Sequence, residues 1–169
     1  MSDGLLRRSL SLGALDDSDA LRILTVSSPH SIIEVHPFRP DAREALIVLP
    51  ELTDAYVYAV KVADLDGDGL SDLAALLVME QAFVAVARGT GPLQFAPFVT
   101  VAEVDTYSSG LEVGDVDGDR RPDILVHSTE PGVNTLVRAE ADGAWSSPRR
   151  CPGRWRCSGR PTRPGASSW

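Results

Sequence analysis

Asp64, Asp66 and Asp68 stand at alternate positions, and Asp72 follows, with Gly67 and Gly69 between them. Carboxylates spaced in this way around a glycine turn can converge on one point. Like charges gathered there repel: at about 4 Å each pair costs about 4 kcal/mol at an effective dielectric of about 20. A hard divalent cation removes that penalty, and oxygen donors at about 2.3–2.6 Å suit calcium. The chemistry of this stretch is therefore cation binding. The side chains of Asp64, Asp66, Asp68 and Asp72 are the expected ligands, and the carbonyl of Leu70 should fill the gap between the last two.

The pattern returns. Asp115, Asp117, Asp119 and Asp123 repeat it at an offset of 51 residues, with Arg121 at the carbonyl position. A loop repeated at a period near 50 points to a repeat architecture, and propeller blades have periods of that size. An EF-hand would need a bidentate Glu at the twelfth position of its loop and a helix on each side. The twelfth residues here are Ala75 and Val126, which cannot bind a metal. The residues that follow the loops, 73–78 and 124–126, are apolar and β-prone, so each loop joins two strands.

Strand, Asp-x-Asp-Gly-Asp-Gly-x-x-Asp-Leu, strand resembles the FG-GAP or VCBS repeat. The resemblance covers residues 55–148 and, weakly, 14–50. It implies β-propeller blades with calcium in the Asp loops, in a family of extracellular and cell-surface proteins. The second loop departs from the pattern at Arg120, where the family prefers Gly, and at Arg121-Pro122. The family also has more blades than this chain can supply.

The elements that must position the loops follow the same reading. Residues 1–13 are read as an N-terminal extension, and 14–54 as a degenerate unit. In that unit Ala14, Asp16, Ser18 and Arg22 occupy the ligand positions, so most of the carboxylates are gone. A short helix over 18–24 is the alternative. Residues 55–104 and 105–148 form the two Asp-bearing units. Short strands joined in sequence make four-stranded antiparallel meanders, and one such sheet is a propeller blade. The expected fold is all-β: two to three blades of an incomplete propeller. Open blade edges invite self-association.

Residues 149–169 read differently. They hold six Arg and no acid and are rich in Pro, Gly and Ser, a composition that cannot bury a core. A disordered tail is expected from residue 149, as from a lost reading frame or a truncated gene. Cys151 and Cys157 both lie there. They can close a small disulfide loop, but incidental thiols are the favoured reading, and no zinc site is formed.

The chain has 169 residues, 43% hydrophobic, with a net charge of -8. That length supports one domain with a real core. The acid excess lies in residues 1–148 and speaks against nucleic-acid binding. No signal peptide and no transmembrane span are read in the chain.

Catalysis finds little support. His30, His36 and His127 are scattered, Ser108-Ser109-Gly110 reads as a turn, and no G-x-S-x-G, phosphate loop or H-E-x-x-H is present. The expected function is a calcium-binding, non-catalytic module for adhesion to a protein or carbohydrate, with Tyr56, Tyr58, Tyr107 and Trp145 as candidates for stacking on sugars. Two alternatives are a scaffold fragment of a larger secreted enzyme and a truncated non-functional remnant.

Overall fold

The computed structural model describes residues 6–15, 21–28, 32–37, 45–48, 55–130, 133–141 and 143–151. Three four-stranded antiparallel sheets follow one another along the chain. The first holds β1 (Leu6–Ala14), β2 (Leu21–Ser28), β3 (Ile32–Pro37) and β4 (Ala45–Val48) in sequence order. The second holds β5 (Tyr56–Ala63), β6 (Asp72–Val78) and β7 (Ala82–Ala87). A small hairpin, β8 (Gly89–Gly91) and β9 (Gln94–Phe95), precedes its fourth strand, β10 (Val99–Val104). The third holds β11 (Ser108–Gly114), β12 (Asp123–Ser128), β13 (Asn134–Val137) and β14 (Arg149–Cys151). The fold is all-β, and no closed barrel forms among the described residues.

The three sheets share one register. Their first hairpins carry the same irregularity, between Arg7 and Ser9, Val57 and Ala59, and Ser108 and Gly110. Counted from that irregularity, Gly13↔Arg22 of the first sheet matches Ala63↔Asp72 and Gly114↔Asp123, the last pairs before the loops of the other two. Arg22 therefore occupies in the first sheet the place that a carboxylate holds in the other two.

Alternation along β6 explains its apolar run. Leu73, Ala75 and Leu77 face a core shared with Leu24, Val26, Ile33 and Val35 of the first sheet. Ala74 and Leu76 face a second core shared with Leu111, Ile124, Val126 and Val137 of the third. A strand covered on both faces cannot alternate apolar with polar. Each fully buried Leu contributes about 1.5–3 kcal/mol, so the middle sheet holds the array together. The first strands meet one another: β5 contacts both β1 and β11. A Cβ added at Gly13 would lie 2.6 Å from Cβ of Val62, which shows how closely β1 and β5 approach.

Four sequence expectations are corrected. The presumed N-terminal extension supplies β1, whose Leu10 and Leu12 alternate with polar neighbours as a strand requires. The helix considered over 18–24 is excluded from Leu21 onward, where β2 pairs with both neighbours; residues 16–20 lie outside the described residues. The tail does not begin at 149, because Arg149–Cys151 form β14 and pair with β13. Backbone hydrogen bonds to a sheet edge hold these residues despite their composition. Cys151 is buried and disulfide-bonded rather than an incidental thiol. The remainder of the presumed tail, residues 152–169, lies outside the described residues.

Candidate metal centres

Both Asp loops connect the first strand of a sheet to the second, β5 to β6 and β11 to β12. Strand pairing fixes their two ends, so the loop carboxylates are directed by the turn between. In the first loop one oxygen each of Asp64, Asp66 and Asp72 lies within 4.8 Å of the others. Asp115, Asp117 and Asp123 form the same group in the second. Asp68 and Asp119 stand beside these groups. Their Oδ1 atoms accept the N–H of Leu70 at 2.8 Å and of Arg121 at 2.9 Å.

The carboxylates also build the turn. Asp64 accepts the N–H groups of Gly67 at 2.7 Å and Gly69 at 3.0 Å. Asp115 accepts those of Gly118, Asp119 and Arg120 at 2.7, 3.1 and 2.9 Å. The last acid of each loop is buried, Asp72 at 0% and Asp123 at 1% exposure. Asp72 accepts the N–H of Leu65 at 2.9 Å and of Gly89 at 2.7 Å. The latter contact is close, since a Cβ at Gly89 would lie 2.5 Å from the carbonyl oxygen of Ser71. Asp123 accepts the N–H of Val116 and of Ala139, both at 3.1 Å.

An arginine from across the sheet completes each cluster. Arg88, just after β7, places Nη1 2.8 Å from Asp72 and 3.4 Å from Asp66. Arg138, just after β13, pairs with Asp117. Sequence reading missed both. The signal was a matched Arg at the same point of each unit, one residue before the N–H that caps the buried Asp.

Burial is the main force on the acids whose proton affinity departs from the ordinary. It pushes the Asp66 carboxyl upward, against the opposing pull of the Asp68 N–H and the Arg88 guanidinium. It pushes Asp123 upward too, against hydrogen bonds from Val116 and Ala139 and with further upward pressure from Asp119 and Asp115. Both shifts record carboxyl groups drawn out of water.

The remaining candidates separate. Tyr56 and Tyr107 are exposed and stand at equivalent points, at the strand ends opposite the Asp loops. Tyr58 and Trp145 pack against the core between the second and third sheets. His36 bonds Glu34 at 3.2 Å and Thr25 at 3.3 Å, and His127 lies on β12. His30 lies outside the described residues. Ser108 donates to the carbonyl of Asp105 in a turn. A polar groove of about 380 Å³ runs between the second and third sheets, lined by Gln81, Glu103, Asp105, Thr135 and Arg150.

This geometry is strand, acid-rich loop, strand, repeated on successive sheets. Residues 64–126 match the family model of the FG-GAP-like repeat. That segment is similar to an FG-GAP-like repeat, which suggests a β-propeller-type module. The match runs from the first acid of one loop to the strand beyond the other, so it spans both acidic clusters. No curated protein matches the chain. Among the described residues, no helix is long and apolar enough to cross a membrane.

Proposed function

We propose that the chain is a calcium-stabilised, non-catalytic repeat module that binds a protein or carbohydrate partner outside the cell. The observation that carries this reading is the convergence of three carboxylates within 4.8 Å at equivalent points of two FG-GAP-like loops. The donors are all oxygens, and several loop carboxylates with a carbonyl suit calcium, whereas magnesium is usually held by one or two carboxylates and keeps most of its water. Asp64, Asp66 and Asp72 would hold the first ion, with Asp68 and the carbonyl of Leu70 completing the set. Asp115, Asp117, Asp123, Asp119 and the carbonyl of Arg121 would hold the second. A bound ion neutralises the cluster and pins the turn. Partner binding then falls to the exposed rim, where Tyr56 and Tyr107 present aromatic faces.

The test is a thermal melt of the full chain in calcium and in chelator, repeated for Asp66→Ala combined with Asp117→Ala. An ion that binds only the folded state adds about 2.7 kcal/mol at a hundredfold excess over its dissociation constant. A calcium-dependent rise that disappears in the double variant is the expected result. A cooperative melt indifferent to calcium would reduce both clusters to solvated turns and sink the reading.

A further inference from the structure

The joints between successive sheets are not filled alike. The pairs Leu73↔Ala87 and Ala75↔Ala85 of the second sheet correspond to Ile124↔Val137 and Val126↔Thr135 of the third. Ala85, with Phe83 in the same alternation, packs against the core shared with the first sheet. The third sheet holds Thr135 and Val133 at those two places. The joint between the second and third sheets therefore has a hydroxyl where the earlier joint has only a methyl, and a shorter side chain where it has a phenyl ring. At this end, away from the Asp loops, the groove of about 380 Å³ opens.

Thr135 is 5% exposed, yet no described residue bonds its hydroxyl. A buried polar group without a partner is an exception that calls for a reason. Arg150 pairs with Thr135 across β13 and β14 and lines the same groove. From the second sheet come Gln81, in the turn between β6 and β7, and Asp105 and Thr106, between β10 and β11. Arg150 Nη2 stands 3.7 Å from Asp105 Oδ2, beyond hydrogen-bond reach. Asp105 Oδ1 accepts the Tyr107 N–H at 2.9 Å, which leaves Oδ2 to the groove. Thr106 donates to Gln81 at 3.5 Å, a long contact. The groove thus presents loosely held groups of both kinds: two hydroxyls, an amide, a carboxylate and a guanidinium.

We propose that this groove holds a neutral, hydroxyl-rich ligand, one sugar residue of a glycan. A hydroxyl both donates and accepts, which matches a lining that offers donors and acceptors together. Asp105 and Arg150 balance in charge, so an ionic ligand would meet a like charge beside its counter-ion. Sites for drug-like molecules are lined chiefly by apolar side chains, whereas polar side chains dominate here. The volume lies at the small end of the range for ligand pockets, about 300–1,000 Å³, and suits one ring rather than a protein surface. Tyr107, next after Thr106, is 60% exposed and offers an aromatic face to the same ligand. The inference narrows the partner proposed above to a carbohydrate. It rests on the binding role in that reading and not on calcium in the loops.

The experiment is saturation-transfer NMR from the full chain, in calcium, to the methyl glycosides of glucose, galactose, mannose and N-acetylglucosamine at millimolar concentration. Glucuronate and glucosamine serve as the charged probes. At least one neutral sugar should receive transfer and bind more tightly than either charged one. Thr135→Val, nearly isosteric, should weaken that binding about tenfold, as the loss of one hydrogen bond allows. Arg150→Gln should weaken it similarly with an unchanged melt, because the Arg150 side chain is exposed. Thr135→Ser keeps the hydroxyl and should keep the binding, which separates recognition from packing should Thr135→Val melt early. No transfer to any neutral sugar overturns the proposal, and so does a preference for a charged one. Binding that survives Thr135→Val and Arg150→Gln but falls in Tyr107→Ala overturns the groove and moves the sugar to the aromatic rim. The calcium melt is decided separately: a calcium-dependent melt without sugar transfer strikes this inference alone, and sugar transfer with an indifferent melt strikes the metal alone.

Discussion

The two Asp loops share the positions of their acids but differ in how much of the protein holds them. The first is wedged into the array. Leu65, next after its first acid, is 3% exposed and belongs to the core between the second and third sheets. Ser71 at its end donates to the carbonyl of Ala14 in the first sheet. The following hairpin is tied to that sheet too, through the Leu93 N–H and the carbonyl of Leu15 at 3.2 Å. In the second loop Val116 takes the place of Leu65 and is 43% exposed. Arg120 takes the place of Gly69 and sits at φ 70, in the left-handed region. Arg121 folds back on Asp119 at 3.0 Å, so a cation of the chain already occupies one of the acids. Repetition of an acid pattern therefore does not repeat the support beneath it.

The largest expected effect separates the two buried acids. Asp72→Ala orphans two backbone N–H groups and takes from Arg88 its nearer partner, leaving it Asp66 alone, a loss of about 3 kcal/mol or more. Asp123→Ala orphans two N–H groups, while Arg138 keeps its contact with Asp117, a loss of about 1–3 kcal/mol. Denaturant unfolding in chelator measures both. Equal losses would mean that the guanidinium contributes nothing to the first cluster.

The next effect exchanges the residues that most distinguish the turns. An L-residue in the left-handed region costs about 1–2 kcal/mol. Arg120→Gly should recover most of this and also remove a positive charge beside the second site. Gly69→Arg should lose a similar amount at the first. Calcium titration by calorimetry should then show the second site tightening and the first weakening. If Arg120→Gly leaves both stability and affinity unchanged, backbone strain is not what sets the second loop apart.

A smaller effect comes from the arginines. A bound ion would compete with Arg88 for Asp66 and Asp72. Arg88→Met should weaken the metal-free protein and tighten calcium at the first site by about fivefold, equivalent to about 1 kcal/mol. Arg138→Met should act on the second site in the same sense, through Asp117 alone. A Kd that rises in either variant would make the arginine a support for the ion rather than its rival.

How much of this was legible in the sequence follows from the range of the interactions. The loops were visible because alternate acids around glycines satisfy a local requirement, that charges converge within nine residues. Strands β5, β6, β11 and β12 were visible because the chain on either side of each loop must pair. Arg88 was not, since an arginine 16 residues beyond Asp72 acquires meaning only when β7 folds back along β6. Strand β1 was missed because Arg7, Arg8, Ser9 and Ser11 dilute its alternation, so that only Leu10 and Leu12 carry an apolar signal. The three residues of β14 are held by backbone pairing to β13, which composition does not report.

The smallest prediction examines the apolar residue under each loop. Leu65→Val removes a buried methylene and should cost about 1 kcal/mol, in the range of comparable core truncations. Val116→Leu adds one, worth at most about 0.8 kcal/mol if fully buried. Since Val116 is half open to solvent, the gain should stay below about 0.5 kcal/mol. The two substitutions are reciprocal in chemistry, so any inequality measures the difference in cover. Equal and opposite shifts in thermal melts would mean that the second loop has the same floor as the first and that its exposure does not matter. The unequal result has a consequence for the metal. The N–H of the residue at this point caps the buried acid, at 2.9 Å from Leu65 and 3.1 Å from Val116. A loop anchored there has its donors arranged before an ion arrives and loses less freedom when it binds. The first site should therefore fill at the lower calcium concentration, and Leu65→Val should narrow the gap between the two.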